Sequence, residues 1–582
     1  MDDADSSTHK SFGIIDCAVF AGMLAISAVV GVYQAYKSRK NEDAVREYLV
    51  GGQNMSIFPI TMSLIASYIS GITILGFPAE MYVYGTQLWC VVIADSFVSL
   101  TMAVVYLPVF YGLGITSSYE YLNLRFNGVV RFMGSAIFLI KMLLYIPLVI
   151  YVPALAFNQV TGMNLHAIAV LVCAVCIFYT TLGGLKAVVW TDAIQTIVMF
   201  GGVIVIAVIG TNQVGGFSEV WKRNRDTDRI QFFESDGAAH LLDRCHRQLL
   251  KLVGKLFRQS SDGATMLGYA QFTERQYNNC DHGNRDNYHR ITELLYRHCY
   301  LCGVPRLRSY FYQAIKKPDQ LLPFFVMELT ESIPGLPGLF VAGVFSAALS
   351  TMSTGLNSMS GVIYEDMIKP WLRIPLSEIA VSRLMKLTVV LTGIFCVTLV
   401  FLVEKLGGLI QAGKSLASIT AGPLLGIFTL GMFFPIANSS GALVGGLISL
   451  NLVAWISFGT QAAISSGKIH FPVKPVSIEG CSESLKNHAT NLSLIVETAI
   501  KEQPFFLYRM SYLWYTWVGF LTAILVGLLV SWITGLNKCK PGDEKLYTPV
   551  IRSFLRDSTT IIKREQETIV ELEKMDRNVT KV

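Results

Sequence analysis

Residues 63–80 read SLIASYISGITILGFPAE. The run is apolar enough for a membrane, yet Gly71, Gly76 and Pro78 punctuate it. Glycine loses the most chain entropy in a helix, and proline lacks an N–H and crowds the preceding turn. In water this stretch would be a poor helix. In lipid the backbone has no water to bond, so a spanning segment is helical wherever lipid touches it. A break is tolerated only where the freed carbonyls face protein or a water-filled site. Residues 63–80 therefore predict a broken membrane helix lining a binding site. Close helix packing through small residues is the other reading of the same punctuation.

The rest of the chain supplies the membrane context. Of its 582 residues, 52% are hydrophobic and 15% charged, where a soluble domain carries about a quarter charged. Apolar runs at 12–36, 57–78, 84–113, 130–156, 163–184, 189–211, 337–362, 380–404, 407–435, 440–460 and 511–535 are each long enough to span, a crossing needing about 20 residues. The expectation is an all-α polytopic membrane protein with eleven spans. The N-terminal MDDADSSTHK is not the basic start of a signal peptide. A net charge of +6 without a basic tract speaks against nucleic-acid binding. The eleven cysteines are scattered, Cys173 and Cys176 within an apolar run, which is not a secreted disulfide framework. No nucleophile–base pair or phosphate-binding motif points to an enzyme, and no cofactor is expected.

Charge orients the spans. Lys37, Arg39, Lys40 and Arg46, then Arg125 and Arg131, then Lys186, then Lys369, Arg373, Arg383 and Lys386 fall in alternate loops. The opposing loops, AFNQVTGMN and PAEMYVYGTQ, carry no Lys or Arg. The positive-inside rule then puts the N-terminus outside a plasma membrane and the C-terminus in the cytoplasm. The expected order is an external N-terminus (1–11), a first group of helices (12–236), an aberrant polar segment (237–320), a second group (321–460), an external loop (461–510), a last helix (511–535) and a cytoplasmic tail (536–582). Asn491 opens a glycosylation sequon in the external loop, while those at Asn54, Asn438 and Asn578 fall inside and should be silent. The terminal Thr580, Lys581 and Val582 suit strand addition to a PDZ domain.

The seventh span, FVAGVFSAALSTMSTGLNSMS, gathers Ser346, Ser350, Thr351, Ser353, Thr354, Asn357, Ser358 and Ser360. Hydroxyls in membrane helices commonly bond back to the preceding turn. Adjacent Ser350 and Thr351, one turn beyond Ala347, also offer oxygens to a hard cation such as sodium. Sequence alone does not pair this helix with the broken one.

SLIASYISGITILGFPAEMYVYGTQ, ITSSYEYLNLRFN, YTTLGGLKAVVWTDAIQT, PGLPGLFVAGVFSAALSTMSTGLNSMS and AGPLLGIFTLGMFFP together resemble the sodium:solute symporter family. The similarity is greatest to its branch of sodium-coupled monocarboxylate and multivitamin transporters, over about residues 12–236 and 314–535. The resemblance implies a LeuT-type inverted-repeat bundle of thirteen helices and alternating access around a midplane site. It implies sodium bound by the carbonyls of Ala66, Ile69 and Ala347 and the hydroxyls of Ser350 and Thr351. Asp192, in VVWTDAIQ, matches a family carboxylate linked to sodium coupling. An acid within a span is a functional candidate, and a cap for the sixth span is its structural alternative. The implied cargo is a small carboxylate, a short-chain monocarboxylate or a vitamin acid. A sugar or iodide carrier, or a non-transporting sensor or scaffold, are the alternatives.

Residues 218–320 do not fit. They hold 17 of the 47 Lys/Arg and 12 of the 41 Asp/Glu, a local balance of +5 within the chain's +6. His298, Cys299 and Cys302, with Cys280, His282 and His289 nearby, have the residue types of a zinc site but only one CxxC. A change of reading frame explains more. With permitted codons for Arg258–Met266, RQSSDGATM, dropping one base yields Val-Asn-Gln-Ala-Met-Val-Gln-Arg, similar to the family at this place. The same shift over Cys299–Gln313 yields Val-Ile-Tyr-Ala-Gly-Tyr-Arg-Asp-Cys-Asp-Pro-Ile-Phe-Thr. About residues 244–313 thus read as an out-of-frame stretch replacing two of the thirteen helices.

Overall fold

The computed structural model describes residues 12–38, 55–115, 117–227, 229–230, 318–330, 333–372, 376–403, 409–466, 468–469, 504–537 and 543–553. Asn491, the His/Cys group between Cys280 and Cys302, the stretch 244–313 and Thr580–Val582 lie outside them.

The chain runs through α1 (Ile14–Ser38), α2 (Ile57–Tyr68), α3 (Gly71–Tyr84), α4 (Cys90–Thr101) and α5 (Leu107–Leu113). It continues through α6 (Ser118–Arg125), α7 (Gly128–Thr161), α8 (Leu165–Val214) and α9 (Phe217–Asp226). After the polar segment come α10 (Leu321–Leu329), α11 (Leu336–Val362), α12 (Glu378–Val403), α13 (Leu409–Phe433), α14 (Ser439–Ser465) and α15 (Tyr515–Ile533). Among the described residues, nine helical stretches are long and apolar enough to cross a membrane, and α2 with α3 forms a further span bent by 48°. The 50 residues of α8 are two spans, divided at Gly184 by φ 58° and ψ −157°. At about 1.5 Å per residue they extend far beyond a bilayer core of about 30 Å. Together these are the eleven spans expected, and Gly184 marks the boundary between the fifth and sixth.

Two groups of helices share the bundle. α8 packs against α1, α2, α11 and α12, while α13, α14 and α15 pack on one another and α13 returns to α7. Small residues set the closest approaches. A Cβ on Gly343 of α11 would stand 3.2 Å from the Met199 Cα of α8, and one on Gly202 would stand 3.2 Å from the Leu339 carbonyl oxygen. Dispersion is maximised this way where lipid removes any hydrophobic drive between helices. Gly343→Val adds volume at a backbone-to-backbone contact, an overpacking worth about 1–3 kcal/mol. A lower thermal unfolding midpoint in detergent is expected, and an unchanged one would deny the close α8–α11 contact.

α1 is tied to the same assembly. Asp16 Oδ1 accepts from the backbone amides of Gly335 and Gly338 at 2.9 and 3.0 Å. It thereby caps α11 from another helix, where the α11 cap position, Gly335, has no side chain to do so. The amide of Asn438, one of the sequons expected to be silent, already donates to Thr534 Oγ1 and the Gly535 carbonyl, both at 2.7 Å.

Candidate sodium site

The break falls between α2 and α3. Ile69 (φ −89°, ψ 101°) and Ser70 (φ −92°, ψ 167°) are extended, and Gly71 opens α3. The Ile69 amide bonds back to the Ile65 carbonyl at 3.0 Å, and the Thr73 amide bonds to the Ser70 carbonyl at 2.9 Å. No described amide closes on the carbonyls of Ala66 or Ile69, the two expected to be released. Ala66, Ile69 and Ala347 are all buried. Among the described residues these two carbonyls have no helical partner, and a carbonyl oxygen is a suitable ligand for a hard cation.

α11 faces the break. A Cβ on Gly71 would stand 3.5 Å from the Val344 carbonyl oxygen, one turn before Ala347. Farther along, Ser67 Oγ of α2 and Thr354 Oγ1 of α11 are 3.2 Å apart. The structure therefore joins the broken helix to the hydroxyl-rich one. Thr351 Oγ1 bonds back to the Ala347 carbonyl at 3.0 Å, so two of the expected ligands sit together on one turn. Ser350 Oγ is buried close to the Asp192 carboxylate, outside hydrogen-bonding geometry with any described residue.

Asp192 completes the junction from α8. It is fully buried, eight residues beyond the Gly184 division, inside the helix and not at a cap. Its Oδ2 accepts from Ser63 Oγ of α2 at 2.6 Å and from Thr354 Oγ1 of α11 at 3.3 Å. Ser350 and Ser353 also lie beside the carboxylate, and no described basic residue does. Oδ1 has no hydrogen-bond partner. One turn on, Thr196 Oγ1 bonds the Met62 carbonyl of α2 at 3.0 Å. Hydroxyls alone do not compensate the charge of a buried carboxylate, which is costly unless a cation pairs it. Oδ1, unpartnered among the described residues, and Ser350 Oγ beside the carboxylate are oxygens with the chemistry to hold a hard monovalent cation.

The sequence reading missed Ser63 and Ser67. Their i, i+4 spacing on an otherwise apolar helix flanks Ala66 and was the available signal.

Comparison with known proteins agrees with this architecture. The sequence profile of the Sodium:solute symporter family matches residues 48–257 and 288–449. Sodium-coupled monocarboxylate transporter 2 of Mus musculus is 37% identical over 561 residues, covering 94% of this chain and 88% of that protein. The sodium-dependent multivitamin transporter of Oryctolagus cuniculus is 35% identical over 580 residues, covering 95% and 87%. A solved Na+-coupled sialic acid symporter in a substrate-bound outward-open state shares the fold, with a TM-score of 0.65 and 23% identity over 91% of this chain and all of that one. The family match and the length of the shared sequence show that the chain belongs to the sodium:solute symporter family.

Proposed function

We propose that this chain uses the sodium gradient to import small organic anions, short-chain monocarboxylates or vitamin acids such as biotin and pantothenate, by alternating access. The observation that carries the proposal is the junction of α2, α8 and α11 at Asp192. Sodium held by the Ala66, Ile69 and Ala347 carbonyls and the Ser350 and Thr351 hydroxyls would fasten the broken helix to α11. Binding that favours one conformation shifts the population toward it by the differential affinity. Asp192 then links ion occupancy to the position of α2. The sodium-coupled monocarboxylate and multivitamin relatives support the cargo class. We assign the protein to the plasma membrane with its N-terminus outside, and retain Asn491 as a glycosylation site and Thr580–Val582 as a PDZ ligand.

Uptake of radiolabelled lactate, pyruvate, butyrate, biotin, pantothenate, iodide and glucose, with and without sodium, tests the reading. Sodium-dependent uptake of one or more carboxylates is expected; uptake confined to glucose or iodide would replace the cargo class. Ser350→Ala and Thr351→Ala each remove one oxygen. Each should raise the sodium concentration for half-maximal uptake at least threefold. Sodium kinetics that do not move would take both hydroxyls out of the site.

A further inference from the structure

Lys141 has no place in the sodium site, yet it lies deep in the bundle. It is 13 residues from the Gly128 end of the 34-residue α7 and 20 from the Thr161 end. At about 1.5 Å per residue that is about 20 Å and about 30 Å. Lys141 thus sits in the middle turns of the helix, not in a terminal turn from which a lysine stem carries its charge to the interface. The side chain is half-buried. No described charge acts on it, and it has no hydrogen bond or ion pair among the described residues.

Its neighbours on α7 say which way that wall looks. Met142 and Ile146 turn to α11, where a Cβ on Gly355 would meet both. Lys141, Tyr145 and Leu148 lie on a different face, at i, i+4 and i+7. Tyr145 has its hydroxyl within reach of the Ser70 side chain, at the break itself. Leu148 lies where a Cβ on Gly413 of α13 would point, beside Ile72 of α3. Farther down, Met133 of α7 and Ile427 of α13 flank Gly446. α7 and α13 are therefore antiparallel, which sets Lys141 level with about Thr420, a few residues before Pro423. Proline has no N–H, so the Ile419 carbonyl loses its helical donor at that level. The wall below the break thus combines an ammonium unpaired among the described residues, a tyrosine hydroxyl and a helix carbonyl released by proline.

We propose that Lys141 is the fixed counter-charge for the carboxylate of the transported anion, on the α7 wall of the route below the break. The inference rests on the reading of the chain as an organic-anion carrier and names the residue that selects for the anion. An ammonium offers three donors and a full charge to a carboxylate, and offers a neutral amide of the same shape no charge pairing. Tyr145, one turn away, stands between this charge and the break. A monocarboxylate pairs one-to-one with the ammonium, leaving its apolar part to α3 and α13.

The probes are butyrate and its neutral isostere butyramide, on the full-length chain. Lys141→Gln should raise the KM for sodium-dependent butyrate uptake at least tenfold and leave half-saturating sodium within twofold. Lys141→Arg should stay within threefold of wild type. In purified protein with saturating sodium, butyrate should raise the unfolding temperature of wild type and Lys141→Arg but not of Lys141→Gln, and butyramide should raise none. Lys141→Met, which keeps the stem, replaces Lys141→Gln if that variant does not reach the membrane. An unchanged butyrate affinity in the charge-removed variant overturns the proposal. So does a Lys141-dependent stabilisation by chloride in place of butyrate. If wild type shows no sodium-dependent uptake of any carboxylate, the transport reading fails by itself, and the unfolding measurement still decides whether Lys141 holds a carboxylate.

Discussion

Asp192→Asn should abolish the stabilisation of the purified protein by sodium and remove at least nine-tenths of sodium-driven uptake. The carboxylate is fully buried between three helices. It is served by hydroxyls of Ser63 and Thr354, and Oδ1 is left without a donor. Asparagine keeps the shape and one acceptor oxygen but withdraws the charge. For a protein that binds sodium only when folded, sodium at ten times its Kd contributes about 1.4 kcal/mol of stability. Wild type should therefore unfold at a temperature a few degrees higher in sodium than in a large organic cation. The variant should show no difference. Its behaviour without sodium separates an ion site from a structural role. If Asp192 mainly held the helices together, Asn would lower the unfolding temperature in either salt. If it is an uncompensated charge awaiting a cation, removing that charge leaves the sodium-free protein at least as stable as wild type, because an unpaired buried charge is destabilising. A variant that remains sodium-stabilised would remove Asp192 from the ion pathway.

The division between what was legible and what was not follows the range of each signal. Hydropathy is local, and the eleven runs reappear as helices whose ends shift by a few residues. The break was legible from Gly71, though not from Pro78, which lies within α3. Gly71 is where α3 restarts and where its missing side chain lets the helix lie beside Val344. The partners of Asp192 were not legible, because Ser63 is 129 residues away and Thr354 is 162. Only the packing of α2 and α11 onto α8 brings them together. Family resemblance named Asp192 and Ser350 but not Ser63 or Thr354, whose hydroxyls bond the carboxylate. Lys141 was legible and passed over, since averaging over IFLIKMLLYIPLVIY conceals one charge among apolar neighbours.

Restoring the reading frame across about residues 244–313 should increase sodium-dependent carboxylate uptake at least tenfold over the chain as written. The expectation rests on sequence. The segment 218–320 carries most of the chain's net positive charge and no apolar run of spanning length, where resemblance to the family calls for two helices. The family profile is itself interrupted within this interval, leaving 258–287 unmatched, a narrower stretch than the codon argument proposes. Two helices are an even number, so their loss preserves the sidedness of everything that follows and leaves the charge bias of the short loops in place. The proposed sodium ligands would also survive, because α2, α8 and α11 lie outside the segment. Loss of transport would come from the cavity. In an inverted-repeat carrier the site lies between the repeats, and the partner of the broken helix across the pseudo-two-fold axis supplies the opposite wall. With that wall absent, sodium binding and transport should come apart. The chain as written should keep sodium-dependent stabilisation that Asp192→Asn abolishes, while its uptake stays low. The frame-restored protein should show both. Reading the coding DNA decides the premise directly: if neither alternative frame encodes two apolar helices here, the idea fails. Equal uptake by the two proteins would show that residues 244–313, as they are written, belong to the working transporter.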